Sequence, residues 1–555
     1  MCYLFGNRLM AQEPKLYDVV FHEIFADPSP SHGLPLSEYI EIRNTGNKEI
    51  DLRNWTIYNG STSGKISTSQ ILKPDSILLL SPSSFLSQFL SFGQTATVTP
   101  WPTLNNEGDT LILFSPSGTV IHALAWNKEW YENSLKEEGG WSIEMKDASQ
   151  PCAGKENWLS SIDPMGGTPG TTNSITEKIK DESAPVLNFA YMPDSITIIM
   201  VFSEPVIPNI FLKDIIIDDL LPKSIDVVPP FFNLVKIVLA KAAQKEAIYS
   251  LKGLIVSDCK QHKSDPGEIK FGRFSTILPS DVIINEILFN PLAGGFDYVE
   301  IYNHSEKIVD LSSLYLSNRN SSGNLSSILP VMPIRQPLFP GEFIALTEDI
   351  NWIKKQYSVG ELNIVLMHDM PSFPDDNGTV ILLDNRGIAI DELGYDEKWH
   401  SALIHNREGI SLERINVSSA TQDPYNWHSA STSSGYGTPG YVNSQSSVST
   451  TTSSPLMLNT NVISPDMDGK DDFLIIQYHF TEPGYIANVT VFDANGNPVN
   501  YLARNALCGR EGFFRWDGMD DNHNALAKGH YIILTDLFHI NGTTKRFRNA
   551  IGLFR

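Results

Sequence analysis

Four carboxylates fall within seven residues, Asp466, Asp468, Asp471 and Asp472, around Gly469. Spacing of this kind lets a short loop wrap oxygen ligands about Ca²⁺, which takes about six to eight of them. Four like charges so close together repel unless something neutralises them, so this loop is the metal candidate of the chain and Ca²⁺ its cofactor. Asp and Gly also cap turns ahead of a strand without any metal, and both readings stay open. A second acidic turn, Asp517, Asp520, Asp521 and Asn524, needs turn chemistry alone.

Glu23 with Glu41, and Glu286 with Glu300, have the form of paired carboxylates for general acid and base work. Each pair sits in a short strand motif that occurs twice, and a shared fold demands such repetition where an active site rarely does. Polar contacts at strand ends are therefore expected of them. The 13 His fall in no HxH or HExxH pattern. Nucleophile turns, Walker loops and Rossmann glycines are missing as well, so no catalytic residue is expected. Trp55, Trp101, Trp126, Trp130, Trp352, Trp399 and Trp427 offer stacking platforms for sugars, although Trp in sandwiches mostly fills cores.

The elements that would position these residues come from an internal repeat. His22-Glu23-Ile24, then Glu38-Tyr39-Ile40-Glu41-Ile42-Arg43-Asn44, recurs as Asn285-Glu286-Ile287, then Asp297-Tyr298-Val299-Glu300-Ile301-Tyr302-Asn303. Asp51-Leu52 matches Asp310-Leu311, and 109–131 matches 378–400 as two apolar strands around a turn. Both copies close alike, with Trp141-Ser142-Ile143-Glu144 against Ile410-Ser411-Leu412-Glu413 and Gly167-Thr168-Pro169-Gly170 against Gly437-Thr438-Pro439-Gly440. About ten extra residues in the second copy are expected in one longer loop.

This constellation resembles the lamin-tail domain. The resemblance implies an immunoglobulin-like β-sandwich over 13–174 and another over 281–444, a fold common in exported multidomain proteins of bacteria. Between them, over 183–280, Phe202-Ser203-Glu204-Pro205-Val206 is similar to the signature of bacterial Ig-like domains from surface-layer and adhesin-type proteins. A Ser/Thr-rich spacer, 445–457, precedes 458–555. There, Ile463 to Phe473, Val489 to Gly496, Trp516-Asp517-Gly518 and Gly529-His530-Tyr531 resemble the Ig-like domain of flagellar hook-capping proteins, in the version ending many exported proteins that use type IX secretion.

Length and composition agree. The 555 residues predict three to five folded units at about 150 residues each. Hydrophobic residues at 41% with 19% charged exclude a disordered chain. A formal charge of -23 opposes a polyanionic partner, which excludes nucleic acid. Gly and Pro between short Val, Ile, Leu, Phe and Tyr runs read as all-β, tandem immunoglobulin-like sandwiches. No apolar run is long enough for a transmembrane helix. Residues 1–12 have the apolar and small-residue end of a secretory signal peptide without its basic start, so either the start codon lies upstream of Met1 or the segment is a ragged terminus, and export is expected. Cys152, Cys259 and Cys508, scattered and odd in number once Cys2 leaves with that peptide, are expected as buried, unpaired thiols. The functional expectation is a non-catalytic modular protein, secreted or outer-membrane associated, serving as scaffold, adhesin or subunit of a surface assembly with envelope proteins or glycans as partners. A glycan-binding module set is the alternative, and a hydrolase ranks behind both.

Overall fold

A computed structural model describes residues 13–207, 215–357, 363–367, 369–401, 404, 406–446, 455–466 and 471–554. The fold is all-β, a set of immunoglobulin-like sandwiches, and the described α-helices are the short Leu86–Phe89 and Ile350–Gln356. Two compact units result, Met1–Gly272 and Arg273–Arg555. The proposed signal peptide, 1–12, lies outside the described residues.

In the first unit, the repeat begins with Val19–Phe25, whose seven residues are all buried. One face of this strand meets the sandwich core, where Ile24, Ile40, Ile42 and Ile143 pack against Ile57, Leu111, Leu113 and Ile121. The other face is covered too. Phe25, Tyr39, Leu79 and Phe89 make a second small core there, which brings the helix Leu86–Phe89 over the sheet. Tyr39–Asn44 and Ile143–Met145 flank Val19–Phe25 on either side, both antiparallel. Thr95–Thr99 pairs parallel with Ile77–Ser81 and antiparallel with Ser63–Ile66, which joins both layers into one ten-stranded sheet.

The second copy, in the other unit, repeats this plan as separate sheets of six and four strands. Val282–Leu288 stands between Tyr298–Asn303 and Leu412–Arg414, and Ile350–Gln356 takes the place of the earlier helix. The extra residues are not in one loop. The offset between matching strands is 259 at Ile50–Asp51 and Val309–Asp310, 266 at Ile71–Leu72 and Pro337–Leu338, and 269 at Gly108–Phe114 and Asn377–Asp384. Seven of the ten therefore enter between the first two of these strand pairs and three between the second and the third.

Residues after the first copy form a four-stranded and a three-stranded sheet around Ile198, Met200, Ile237, Leu251 and Phe271. The last module has sheets of three and five strands around Trp516, Tyr531, Ile533 and Ile551. Two cysteine expectations are corrected here: Cys152 and Cys259 form a disulfide across 107 residues of sequence. Their spacing hid the pairing, because the first sandwich supplies one partner and the following module the other. Cys508 is buried and free, and burial pushes its thiol up to about 12.

Candidate functional site

The strand pairing sets Glu23 beside Glu41 and, on its other side, beside Glu144. Glu286 stands in the same way between Glu300 and Glu413. Each copy thus carries a row of three glutamates across adjacent strands, all at 0% exposure. These are mid-sheet positions and not strand ends, so the sequence expectation is corrected in place and in number. Glu144 and Glu413 were visible as matching residues of the repeat, but nothing in their spacing joined them to the other pairs.

The closing tetrapeptide covers the row. In the first copy, Glu23 Oε1 accepts from Tyr39 OH at 2.7 Å, Ser142 Oγ at 2.6 Å and the Thr168 amide at 2.8 Å. Pro169 has no N–H to lose, and the Gly170 amide donates to Glu41 Oε1. Glu144 Oε2 accepts from Ser174 Oγ at 2.9 Å and the Ile175 amide at 3.1 Å. Gly167 has to be glycine, since a Cβ there would lie 2.7 Å from Glu23 Oε1.

The second copy repeats this closure, with Gln445 in the place of Ile175. Tyr298 OH, Ser411 Oγ and the Thr438 amide donate to Glu286 Oε1, the Gly440 amide to Glu300 at 2.6 Å, and Ser444 Oγ and the Gln445 amide to Glu413, each at 2.8 Å. Thr438 Oγ1 lies 3.0 Å from Glu286 Oε2 and 2.9 Å from Glu413 Oε1. A hydroxyl has one proton to donate, so the second contact is a hydrogen bond only when that carboxyl carries its own.

Electrostatics supply that proton. Burial, and then the charge of Glu286, push Glu413 up to about 8. Burial pushes Glu41 up to about 8 against the pull of the Gly170 amide. Glu23, Glu286 and Glu300 are raised as well, in each case first by burial. His22, beside Glu41, is held down at about 3 by burial and then by Arg43, so it is neutral. Acids held protonated are the raw material of general acid catalysis, yet these see no solvent and are spent on closing the fold.

In the sequence-derived metal loop, Asp466 and Asp471 are exposed and Asp472 is half-buried. Asp468 lies outside the described residues. The Ser464 amide donates to the Asp471 carbonyl at 2.9 Å, and Asp471 takes a left-handed φ of 53°, which is turn geometry. Of the seven Trp named as stacking platforms, Trp55, Trp126, Trp130 and Trp427 belong to cores. Trp101, Trp352 and Trp399 are half-buried.

The model of the Lamin Tail Domain matches residues 12–128 and 276–397. Both matches end before Glu144 and Glu413, so the third glutamate and the closing tetrapeptide extend the repeat beyond them. No curated protein matches the chain. Among solved structures, FlgD from P. aeruginosa is similar at 21% identity over 18% of this chain and 72% of its own, with a TM-score of 0.14. The S-layer protein rSbsC(31-844) is similar at 10% identity over 67% and 54%, with a TM-score of 0.16. A tetra-tandem repeat from the extending region of a large adhesion protein is similar at 10% identity over 97% and 99%, with a TM-score of 0.14. At such TM-scores none of these carries an argument about function.

Proposed function

We propose that this chain is an exported, non-catalytic modular protein of the cell envelope or the medium, acting as a scaffold, an adhesin or a subunit of a surface assembly. The observation that carries the reading is the closure of both glutamate rows. A carboxyl hydrogen-bonded to the closing segment and sealed from water has no face for a substrate, and the same closure in two sandwiches serves the fold. The disulfide supports an extracytoplasmic compartment, since such bonds persist in oxidising surroundings. Bacterial origin, a hook-capping-like last module and the type IX route belong to the same proposal and rest on sequence resemblance. Ca²⁺ in the loop at Asp466 to Asp472 belongs to it too and rests on the spacing of the carboxylates.

Fractionation of native cells tests it. The chain is expected in the outer-membrane or culture fraction, cut by protease added to intact cells, and accompanied by envelope proteins on pull-down. Recovery in the cytosol with Cys152 and Cys259 reduced would sink the proposal. The glycan-binding alternative rests on Trp101, Trp352 and Trp399, which are half-buried. Array binding that disappears in Trp352→Ala would move it ahead.

A further inference from the structure

A different cluster of ligating side chains lies in the first unit, away from the glutamates. Asp181 comes from the polar linker after the first sandwich, and Asp258 and His262 come from the turn that follows Ile248–Lys252. Their ligand atoms lie within 4.8 Å of one another. An antiparallel bridge between Ser257 and Lys263 closes the turn. Asp258 is completely buried. Its Oδ1 accepts from the amides of Lys260 and His262 at 2.8 Å, and its Oδ2 lies 2.8 Å from His262 Nδ1. Asp181 Oδ1 accepts from the amide and hydroxyl of Ser183, whereas its Oδ2 is enclosed and takes no hydrogen bond among the described residues. Half-buried Glu204 stands close enough to feel the charges of both aspartates and of His262.

Three carboxylates about one imidazole leave an excess of negative charge, and an enclosed, unsatisfied carboxylate oxygen costs free energy unless a cation meets it. We propose that Asp181 Oδ2, Asp258 Oδ2 and His262 Nδ1 hold a divalent transition ion of the Zn²⁺ class, with the fourth position left to water. The imidazole decides the class. Ca²⁺ and Mg²⁺ take oxygen ligands, whereas mixed imidazole and carboxylate sets suit Zn²⁺ in four-coordinate geometry. The ion takes the place of the proton now shared by His262 and Asp258. The two amides on Asp258 Oδ1 already fix that carboxylate, as outer contacts do around metal ligands.

The location gives the ion a role. Cys259 follows Asp258 directly and is bonded to Cys152, and Lys260 Nζ donates to the Ser149 carbonyl at 2.5 Å. Ion and disulfide therefore fasten one turn of the middle module to the first sandwich and to the linker leaving it.

Calorimetric titration of the full, chelator-treated chain with Zn²⁺ tests the site, with Co²⁺ as a spectroscopic probe of the imidazole. One Zn²⁺ per chain is expected, and both His262→Gln and Asp181→Asn are expected to weaken it at least about tenfold while leaving the metal-free melting curve in place. Two independent variants guard against one that misfolds. Unchanged stoichiometry and affinity in both variants, or no uptake of Zn²⁺ by the parent, overturns the site. Ca²⁺ binding at these residues with Zn²⁺ refused overturns the metal class.

Discussion

His22 and Asn285 stand at one and the same point of the repeat, each just before the middle glutamate of its row, and they leave the two rows unequally satisfied. Asn285 Nδ2 lies 2.7 Å from both Glu300 Oε1 and Asn443 Oδ1. In the first copy, His22 Nδ1 is 3.6 Å from Glu41 Oε2. Glu41 Oε2 and Asn173 Oδ1, the counterparts of the two oxygens served by Asn285, are enclosed and without a partner among the described residues.

His22→Asn is therefore expected to stabilise the first sandwich. Two restored hydrogen bonds, less the packing lost with the imidazole, amount to about 1 kcal/mol. The reverse change, Asn285→His, lowers the stability of the second sandwich. Denaturant unfolding of the full chain reads both, and a lower midpoint for His22→Asn would refute the account.

The raised carboxyls predict how stability varies with pH. Glu41 and Glu413 sit at about 8 when folded against 4.5 when free, so the folded chain holds protons that the unfolded chain releases. Their contribution is complete below pH 4.5 and is lost as pH rises through about 8. Buried His22, His122 and His400 act in the opposite sense, as pH falls below their ordinary 6.5. From about pH 6.5 to 8 the carboxyl effect dominates, at up to about 1.4 kcal/mol per pH unit for each such group and roughly half that near pH 8. Glu413→Gln keeps acceptors for Ser444 and Gln445 and a donor for Thr438. Melting of the second sandwich should become less pH-dependent in that variant, and an undiminished slope would count against a protonated Glu413.

Millimolar calcium is expected to raise the melting temperature of the last module in the full chain, as weak extracellular sites do with a dissociation constant on the order of 10⁻⁴ to 10⁻³ M. Asp468→Ala should abolish that response. A melting curve indifferent to calcium would leave the loop as a turn.

The two lamin-tail-like copies were legible because their strands carry the same apolar alternation and the same closing tetrapeptide. Glu23 and Glu286 were legible as residues but not as centres of a row, because the register that sets Glu144 beside Glu23 joins strands more than a hundred residues apart. Long separation in sequence likewise hid the partner of Cys152, 107 residues on, and the meeting of Asp181 with His262. Short-range turn chemistry, as at Asp471, can be read directly from a sequence, whereas long-range pairing depends on how completed sheets pack.

The bond between Cys152 and Cys259 also governs how the chain bears tension. A pull between its two ends passes through the sulfurs and bypasses the 107-residue loop, so roughly 350 Å of contour stays hidden from stretching. Within that loop lies most of the module after the first sandwich, which then unfolds under force only once the bond is reduced. In a single-molecule stretching trace, reductant should add that length to the extension of the first unit.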